Sequence, residues 1–308
     1  MFDWARGSVL KKMIEVGIPQ AFHDPWLNGW AAAWPLALLK IPSGARVLDI
    51  GSGNHPYYAR RFASMGCEAH VLEEPSVAGA AHPGWGVREE TVRANPDIVF
   101  HLGLAGQDVP PASAFDLITC ISVLEHVYDS RKVVDPDDPM PHLNFLRDMV
   151  RMLAPGGVMV LTVDFFLNDM PHWRGWDYLL DVEFLMACGM GLLSPSSKIY
   201  SRTFLYNHED TLFMAPEGIL SFADRYYRST SVGMMFRKPG SAERVTLSPH
   251  PSLAPLLNLG GIQLGPSEGE SLEHDGRAQI GGLEMIAEVS GRDLCRVLMQ
   301  RIWGRLRR

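Results

Sequence analysis

Two carboxylates, Glu73 and Glu74, stand about 20 residues beyond the glycines of Gly51-Ser52-Gly53. A loop of this kind lets a ligand come close to the backbone, because no Cβ stands in the way. An acid at that distance can accept hydrogen bonds from both hydroxyls of a ribose. Further along, Glu125 and His126 close an apolar run, and Asp164 closes another. An imidazole changes charge near neutrality, so a histidine in such a place can take a proton from a reacting hydroxyl. His172 follows Asp164 in a stretch with Trp173, Arg174 and Trp176. Aromatics beside a cation and a histidine can form an acceptor pocket, or simply a packed surface loop.

These residues need elements to position them. Arg46 to Ile50 is a short apolar run with β-branched residues that ends at the glycines, as a buried strand entering a tight turn does. Tyr57 to Met65 has helical character, so the order is strand, glycine turn, helix. The helix N-terminus offers N–H groups behind the turn. Gly66 to Glu74 reads as a second strand, Asp97 to Leu102 as a third, Ala114 to Ile121 as a fourth and Val158 to Val163 as a fifth. Val87 to Ala94, Leu143 to Leu153 and Asp181 to Cys188 read as helices. Leu146, Met149, Val150 and Leu153 share one face of the second of these. An open parallel sheet binds its ligand at the carboxyl ends of its strands, which is where Asp49, Ser122 and Asp164 fall.

The run Asp49-Ile50-Gly51-Ser52-Gly53 resembles the first motif of the class I S-adenosylmethionine-dependent methyltransferases. The pairing of Phe115-Asp116-Leu117-Ile118 with Val123-Leu124-Glu125-His126-Val127 is similar to the small-molecule members of that family, of the ubiquinone-biosynthesis and sugar-modifying kind. So is the helix, Pro155-Gly156-Gly157 turn and strand that follow. The resemblance covers residues 45 to about 165 firmly and to 238 loosely. It implies a Rossmann-like α/β fold, a doubly wound and mostly parallel sheet with an antiparallel last strand, closed by Thr211 to Ala215 and Ser231 to Arg237. It further implies S-adenosylmethionine as cofactor. Asp49, Gly51, Ser52 and Gly53 would line the methionine end, Glu73 would hold the ribose with Glu74 in reserve, and Ser122 and Val123 would edge the adenosine. His126 would stand near the methyl donor as base, with Asp164 and His172 as the next candidates.

The sequence departs from the family at several points. Asn54 and His55 replace a pattern with a third glycine at position 55, and Leu104 stands where an acid often contacts adenine. Pro56 breaks the Gly-x-Gly-x-x-Gly of dinucleotide dehydrogenases, so a nicotinamide oxidoreductase is disfavoured. The expected activity is methyl transfer to a small acceptor, a hydroxyl on a sugar or other metabolite. The alternative is a non-catalytic partner subunit that binds the donor only, suggested by Leu104 and the altered loop.

The rest of the chain sets bounds. The 308 residues, 46% of them hydrophobic, suffice for one large or two small domains. The expected division is an N-terminal helical cap over 1–44, the catalytic domain over 45–238 and an irregular extension over 239–308. In the cap, Val9 to Val16 reads as a helix, and Trp26, Trp30 and Trp34 share a face of another. That face either packs on the domain or serves as a lid over the acceptor. A net charge of -7 argues against a broad nucleic-acid footprint. Cys67, Cys120, Cys188 and Cys295 show no metal spacing and suit buried thiols in a reducing cytoplasm. Asp135, Asp137 and Asp138 lie in a proline-rich loop that matches no metal site, so no metal is expected. No signal peptide or membrane span is evident. From Asp293 onward an arginine-rich amphipathic helix is expected. It either docks on its own domain or touches an anionic membrane.

Overall fold

The computed structural model describes residues 1–18, 27–73, 86–103, 114–127, 141–166, 178–194, 197–200, 202–213, 220–222, 225–227, 229–258 and 271–272. The expectations for Glu74, Leu104, the loop after Val127, His172 and the C-terminal helix fall outside these residues.

An eight-stranded sheet forms the centre. In spatial order its strands are Phe2–Trp4, Ser229–Arg237, Leu153–Phe166, Phe115–Ile121, Arg46–Ile50, Glu68–Glu73 and Ile98–Leu102, with Gly191–Leu192 added beside Ser229–Arg237. The five strands from Leu153–Phe166 to Ile98–Leu102 are parallel, and Ser229–Arg237 runs antiparallel to its neighbours. This is the mostly parallel, doubly wound α/β architecture expected from the sequence.

The parallel strands read as apolar runs because both faces are covered. Leu48, Ile50, Ile118 and Leu161 enter one core, and Val47, Leu117 and Val160 enter the other. Each such side chain, fully buried, contributes roughly 1.5–3 kcal/mol. Helix Tyr57–Ser64 buries Tyr58, Ala59 and Phe62 against the second core. Helix Pro141–Met152 buries Leu146, Met149 and Met152 in the first. Arg46–Ile50 has Glu68–Glu73 on one side and Phe115–Ile121 on the other. The chain order reverses there, and a cleft opens at the carboxyl ends of such strands.

The N-terminal segment differs from the expected arrangement. Helix Gly7–Glu15 is present, but Phe2–Trp4 is a strand that pairs with Val232–Met234 and lengthens the sheet. Its signal in the sequence is hidden because it is short and carries Asp3 between two aromatics. Arg6 neutralises that buried Asp3 at 2.8 Å. Phe2 stacks on Tyr178, and Trp4 meets Tyr200 and Phe204 edge-on. Phe2–Trp4 takes the outer place beside Ser229–Arg237; of the strand expected over Thr211 to Ala215, only residues 211–213 are described. Thr211 makes an isolated bridge to Arg6 and accepts a hydrogen bond from Trp4 Nε1 at 3.2 Å.

Two further differences concern the far end of the domain. Leu153–Phe166 is one continuous strand that includes Pro155-Gly156-Gly157, with a register shift opposite Phe115 and Leu117. The first part of the expected extension is packed on the domain. Thr246–Leu247 pairs with Leu39–Lys40, and Arg244 bonds Asp116 at 2.8 Å.

Helix Leu27–Leu38 shows where its tryptophans go. Trp30 and Trp34 are fully buried and stack at 5.3 Å. The backbone of Gly233 lies so close to the Trp34 ring that an added Cβ would sit 2.6 Å from it. Trp34 packs this helix onto the antiparallel strand, and Trp30 stacks on Trp34.

Candidate functional site

A cavity of about 190 Å³ opens at the switch point. It is lined by Asp49, Gly51, Ser52 and Ser122, with Ala31, His55, Tyr57 and Tyr58 among the remaining walls. The strand ends of Arg46–Ile50 and Phe115–Ile121 make its floor, the glycine loop one side and helix Tyr57–Ser64 the other.

The loop is held from both sides. Gly51 has φ +75°, and a Cβ there would lie 2.4 Å from Val123 Cγ2. The loop and the Ser122-Val123 turn therefore touch, and only glycine fits between them. Gly53 donates its N–H to Glu73 Oε2 at 2.6 Å, so the acid of the second strand reaches the loop. Outside, Asn54 Oδ1 accepts from Arg88 N at 2.8 Å and from Thr91 Oγ1 at 3.3 Å. The residue that departs from the commoner pattern thus braces the turn to the chain at 88–91.

Asp49 is buried and accepts a hydrogen bond from Thr119 Oγ1 at 2.7 Å. Burial pushes its carboxyl up to about 7; the Thr119 bond opposes this and the nearby Glu73 charge adds to it. Tyr58 donates its hydroxyl to the carbonyls of Ala31 and Ala32 at 3.1 and 2.5 Å. Burial raises its phenol well above the usual value. The N-terminal helix is thereby tied to the cavity wall.

A second polar group lies behind the Ser122 wall. Glu125 is buried in a helical turn over residues 124–127, and its Oε1 accepts from the Asp164 N–H at 3.1 Å. The Asp164 carboxylate accepts the hydroxyl of Ser231. Burial raises both acids, and the Asp164 charge raises Glu125 further. His126 is exposed on the same turn and donates its N–H to the Val123 carbonyl at 2.9 Å.

The structure thus gathers Asp49, Gly51, Ser52 and Ser122 around the cavity, sets Gly53 and Glu73 in contact with each other, and places Val123 against Gly51. Asp164 lies outside the residues that line the cavity and is bonded to Glu125 and Ser231. His126 lies outside the residues that line the cavity. Ala31, His55, Tyr57, Tyr58 and Thr119 are additions to the sequence reading. Thr119 faces Asp49 only because the strands pair in that register, which no local pattern announces. Among the described residues, no group of three or more His, Cys, Asp or Glu could hold a metal, and no helix is long and apolar enough to cross a membrane.

Residues 27–190 match the family model for a methyltransferase domain. The chain belongs to that family, the class I S-adenosylmethionine-dependent methyltransferases. Its Asp-x-Gly-x-Gly loop, central switch point and antiparallel last strand all lie in the expected fold. The matched segment begins at the tryptophan helix, so the family's domain includes the wall that Ala31 supplies. The ubiquinone biosynthesis O-methyltransferases of Psychrobacter cryohalolentis and Psychrobacter arcticus are each 28% identical over 123 residues, which is 39% of this chain. The chain spans 41% of the length of these curated relatives. Among solved structures, Haemonchus contortus phosphoethanolamine N-methyltransferase 2 in complex with S-adenosyl-L-methionine is 15% identical, with a TM-score of 0.39 over 65% of this chain and 50% of that one. Burkholderia thailandensis 1,6-didemethyltoxoflavin-N1-methyltransferase is 17% identical, with a TM-score of 0.37 over 64% of this chain and 72% of that one.

Proposed function

We propose that this chain transfers the methyl group of S-adenosylmethionine to a hydroxyl of a small acceptor, a sugar or another metabolite. The observation that carries the reading is the cavity between the glycine loop and Ser122, at the carboxyl ends of the central strands. The residues fit the donor. Gly51 packs against Val123 with no room for a Cβ, which holds the loop at the cavity, and the buried Ser52 Oγ makes no hydrogen bond within the protein. Glu73 stands at the loop as a carboxylate able to accept ribose hydroxyls. Asp49, Gly51, Ser52 and Gly53 would hold the methionine end, and Ser122 and Val123 the adenosine side. The name of the Psychrobacter relatives supports an oxygen acceptor.

When bound, S-adenosylmethionine supplies a methyl group already activated by its positive sulfur. The protein's share is then alignment, exclusion of water and removal of a proton. Helix Leu27–Leu38 and helix Tyr57–Ser64 wall the cavity and limit water on that side. In this reading a ring nitrogen of His126 accepts the acceptor's proton as the new C–O bond forms. His172 and Asp164 are the reserve candidates.

Turnover of methyl-labelled donor against a panel of hydroxylated metabolites tests the reading. His126→Ala should lower kcat by about 10²–10⁴-fold with donor affinity retained. A variant with wild-type turnover on the true acceptor would remove His126 from the chemistry. Binding of S-adenosylhomocysteine with no labelled product on any acceptor would favour the donor-binding partner subunit instead.

A further inference from the structure

Helix Leu27–Leu38 carries a proline in its interior, Pro35. Proline has no N–H, so it removes the hydrogen bond to the carbonyl four residues earlier, and its ring crowds that carbonyl. The carbonyl concerned belongs to Ala31. Ala31 is 1% exposed, and a buried carbonyl that loses its donor is costly unless another group replaces it. Ala31 is also a wall of the donor cavity.

The replacement comes from the neighbouring wall. Tyr58, on the first turn of helix Tyr57–Ser64, lines the same cavity. Its hydroxyl lies 3.1 Å from the Ala31 carbonyl and 2.5 Å from that of Ala32. A phenol has one proton to give, and this one stands between the two carbonyls of the turn that Pro35 opens. The Tyr58 ring is buried and packs on Tyr57 edge-on at 5.6 Å and on Phe62 at 5.8 Å, so the hydroxyl is held in place. Trp34 fixes the far end of the turn on Gly233. A proline is where a helix bends, so helical bonding leaves Ala31 free to shift relative to Trp34. The Tyr58 hydroxyl closes that gap on the cavity side.

We propose that Tyr58 is a positioning residue of the donor site: its hydroxyl stands in for the amide that Pro35 lacks and so holds Ala31 as a wall of the cavity. This rests on the donor-site reading above. Tyr58 acts through the helix and needs no bond to the donor. The coupling is reciprocal, because whatever the held helix adds to donor binding, the bound donor adds to the order of the helix.

The test compares S-adenosylhomocysteine affinity, by calorimetry, in wild type, Tyr58→Phe, Pro35→Ala and the double variant. Tyr58→Phe keeps the ring and removes the hydroxyl, so affinity should fall about fivefold, the size of one hydrogen bond. Pro35→Ala restores an N–H within reach of the Ala31 carbonyl. In the double variant that N–H serves the carbonyl, so affinity should return to within about twofold of wild type, a strong non-additivity. Hydrogen exchange over residues 27–38 gives a second readout. Tyr58→Phe should speed it, and S-adenosylhomocysteine should slow it in wild type. Unchanged affinity in folded Tyr58→Phe would overturn the proposal. So would a loss that persists in full in the double variant, because the hydroxyl would then meet the donor directly. If Tyr58→Phe fails to fold, exchange in the wild type decides, and no slowing by bound S-adenosylhomocysteine would overturn the coupling. Wild-type protein that does not bind S-adenosylhomocysteine would bring down the donor-site reading, and this inference with it. Wild-type binding that leaves the helix unaffected would overturn the positioning role alone.

Discussion

At the donor end of the sheet, strand Arg46–Ile50, its glycine loop, helix Tyr57–Ser64 and strand Glu68–Glu73 follow one another in sequence. Glu73 reaches back only as far as Gly53. At the closing end, Phe2–Trp4 pairs with Val232–Met234, and helix Leu27–Leu38 lays Trp34 on Gly233. The first region is made by neighbours in the chain and the second by its opposite ends. Both are close-packed, but they should fail differently. Damage at the donor end should cost ligand with the fold retained, and damage at the closing end should cost the fold with the site chemistry unchanged in the molecules that remain folded.

The strongest test of that contrast is Gly51→Val. Its Cβ meets Val123 and its backbone is left-handed, so S-adenosylhomocysteine binding should fall below detection. Circular dichroism should still report a folded α/β protein. Retained affinity in the folded variant would place the donor elsewhere.

The next effect is the share of the pH dependence that Asp49 carries at the donor end. An unfolded aspartate titrates near 3.9, and burial holds Asp49 up to about 7 in the fold. The folded value is raised, so its stabilising contribution is fully present below the unfolded value and is lost as pH rises through about 7. The loss is on the order of a few kcal/mol. Asp49→Asn should therefore lessen the fall of the melting temperature between pH 4 and 8 and raise it at pH 8 relative to wild type. An unchanged pH profile would show that Asp49 is not the group responsible.

Gly233→Val probes the opposite end. Its side chain would meet the Trp34 ring, and overpacking of this kind costs typically about 1–3 kcal/mol. The denaturation midpoint should drop, and the affinity of the folded fraction for S-adenosylhomocysteine should stay within about twofold of wild type. A large loss of affinity at preserved stability would join the two regions that the contrast keeps apart.

Glu73→Ala gives the smallest expected change, about tenfold in S-adenosylhomocysteine affinity, from loss of charge-assisted hydrogen bonds. Glu73→Gln separates its two tasks. It keeps an acceptor for Gly53 N–H but loses charge toward ribose, so it should fall between wild type and Glu73→Ala. If Glu73→Gln equals wild type, the acid only braces the loop.

The parallel strands were legible in the sequence because burial on both faces leaves continuous apolar runs, as in Val47-Leu48 and Ile118-Thr119-Cys120-Ile121. The glycine loop was legible because its conformation demands residue types that few other contexts require. Phe2–Trp4 was not, since a three-residue strand has no period to read and its ion pair to Arg6 is a tertiary fact. The bond from Thr119 to Asp49 depends on strand register, and that of Asp164 to Glu125 on two strand ends meeting in space. Local patterns carry the scaffold and the loop; the contacts that tune the site are set by pairing distant segments.

The pairing of Phe2–Trp4 with Val232–Met234 bears on how the protein is made. Residues 2–4 leave the ribosome more than two hundred residues ahead of their partner strand, roughly ten seconds or more at common synthesis rates of about 5–20 residues per second. During that interval Phe2 and Trp4 have no sheet to join, although the central parallel strands already have theirs. The nascent chain should carry an exposed aromatic segment until the antiparallel strand emerges, and a chaperone that binds short apolar stretches would find its target there. Closure of the sheet edge is then a late event with high contact order, and it should be the slow step of refolding as well.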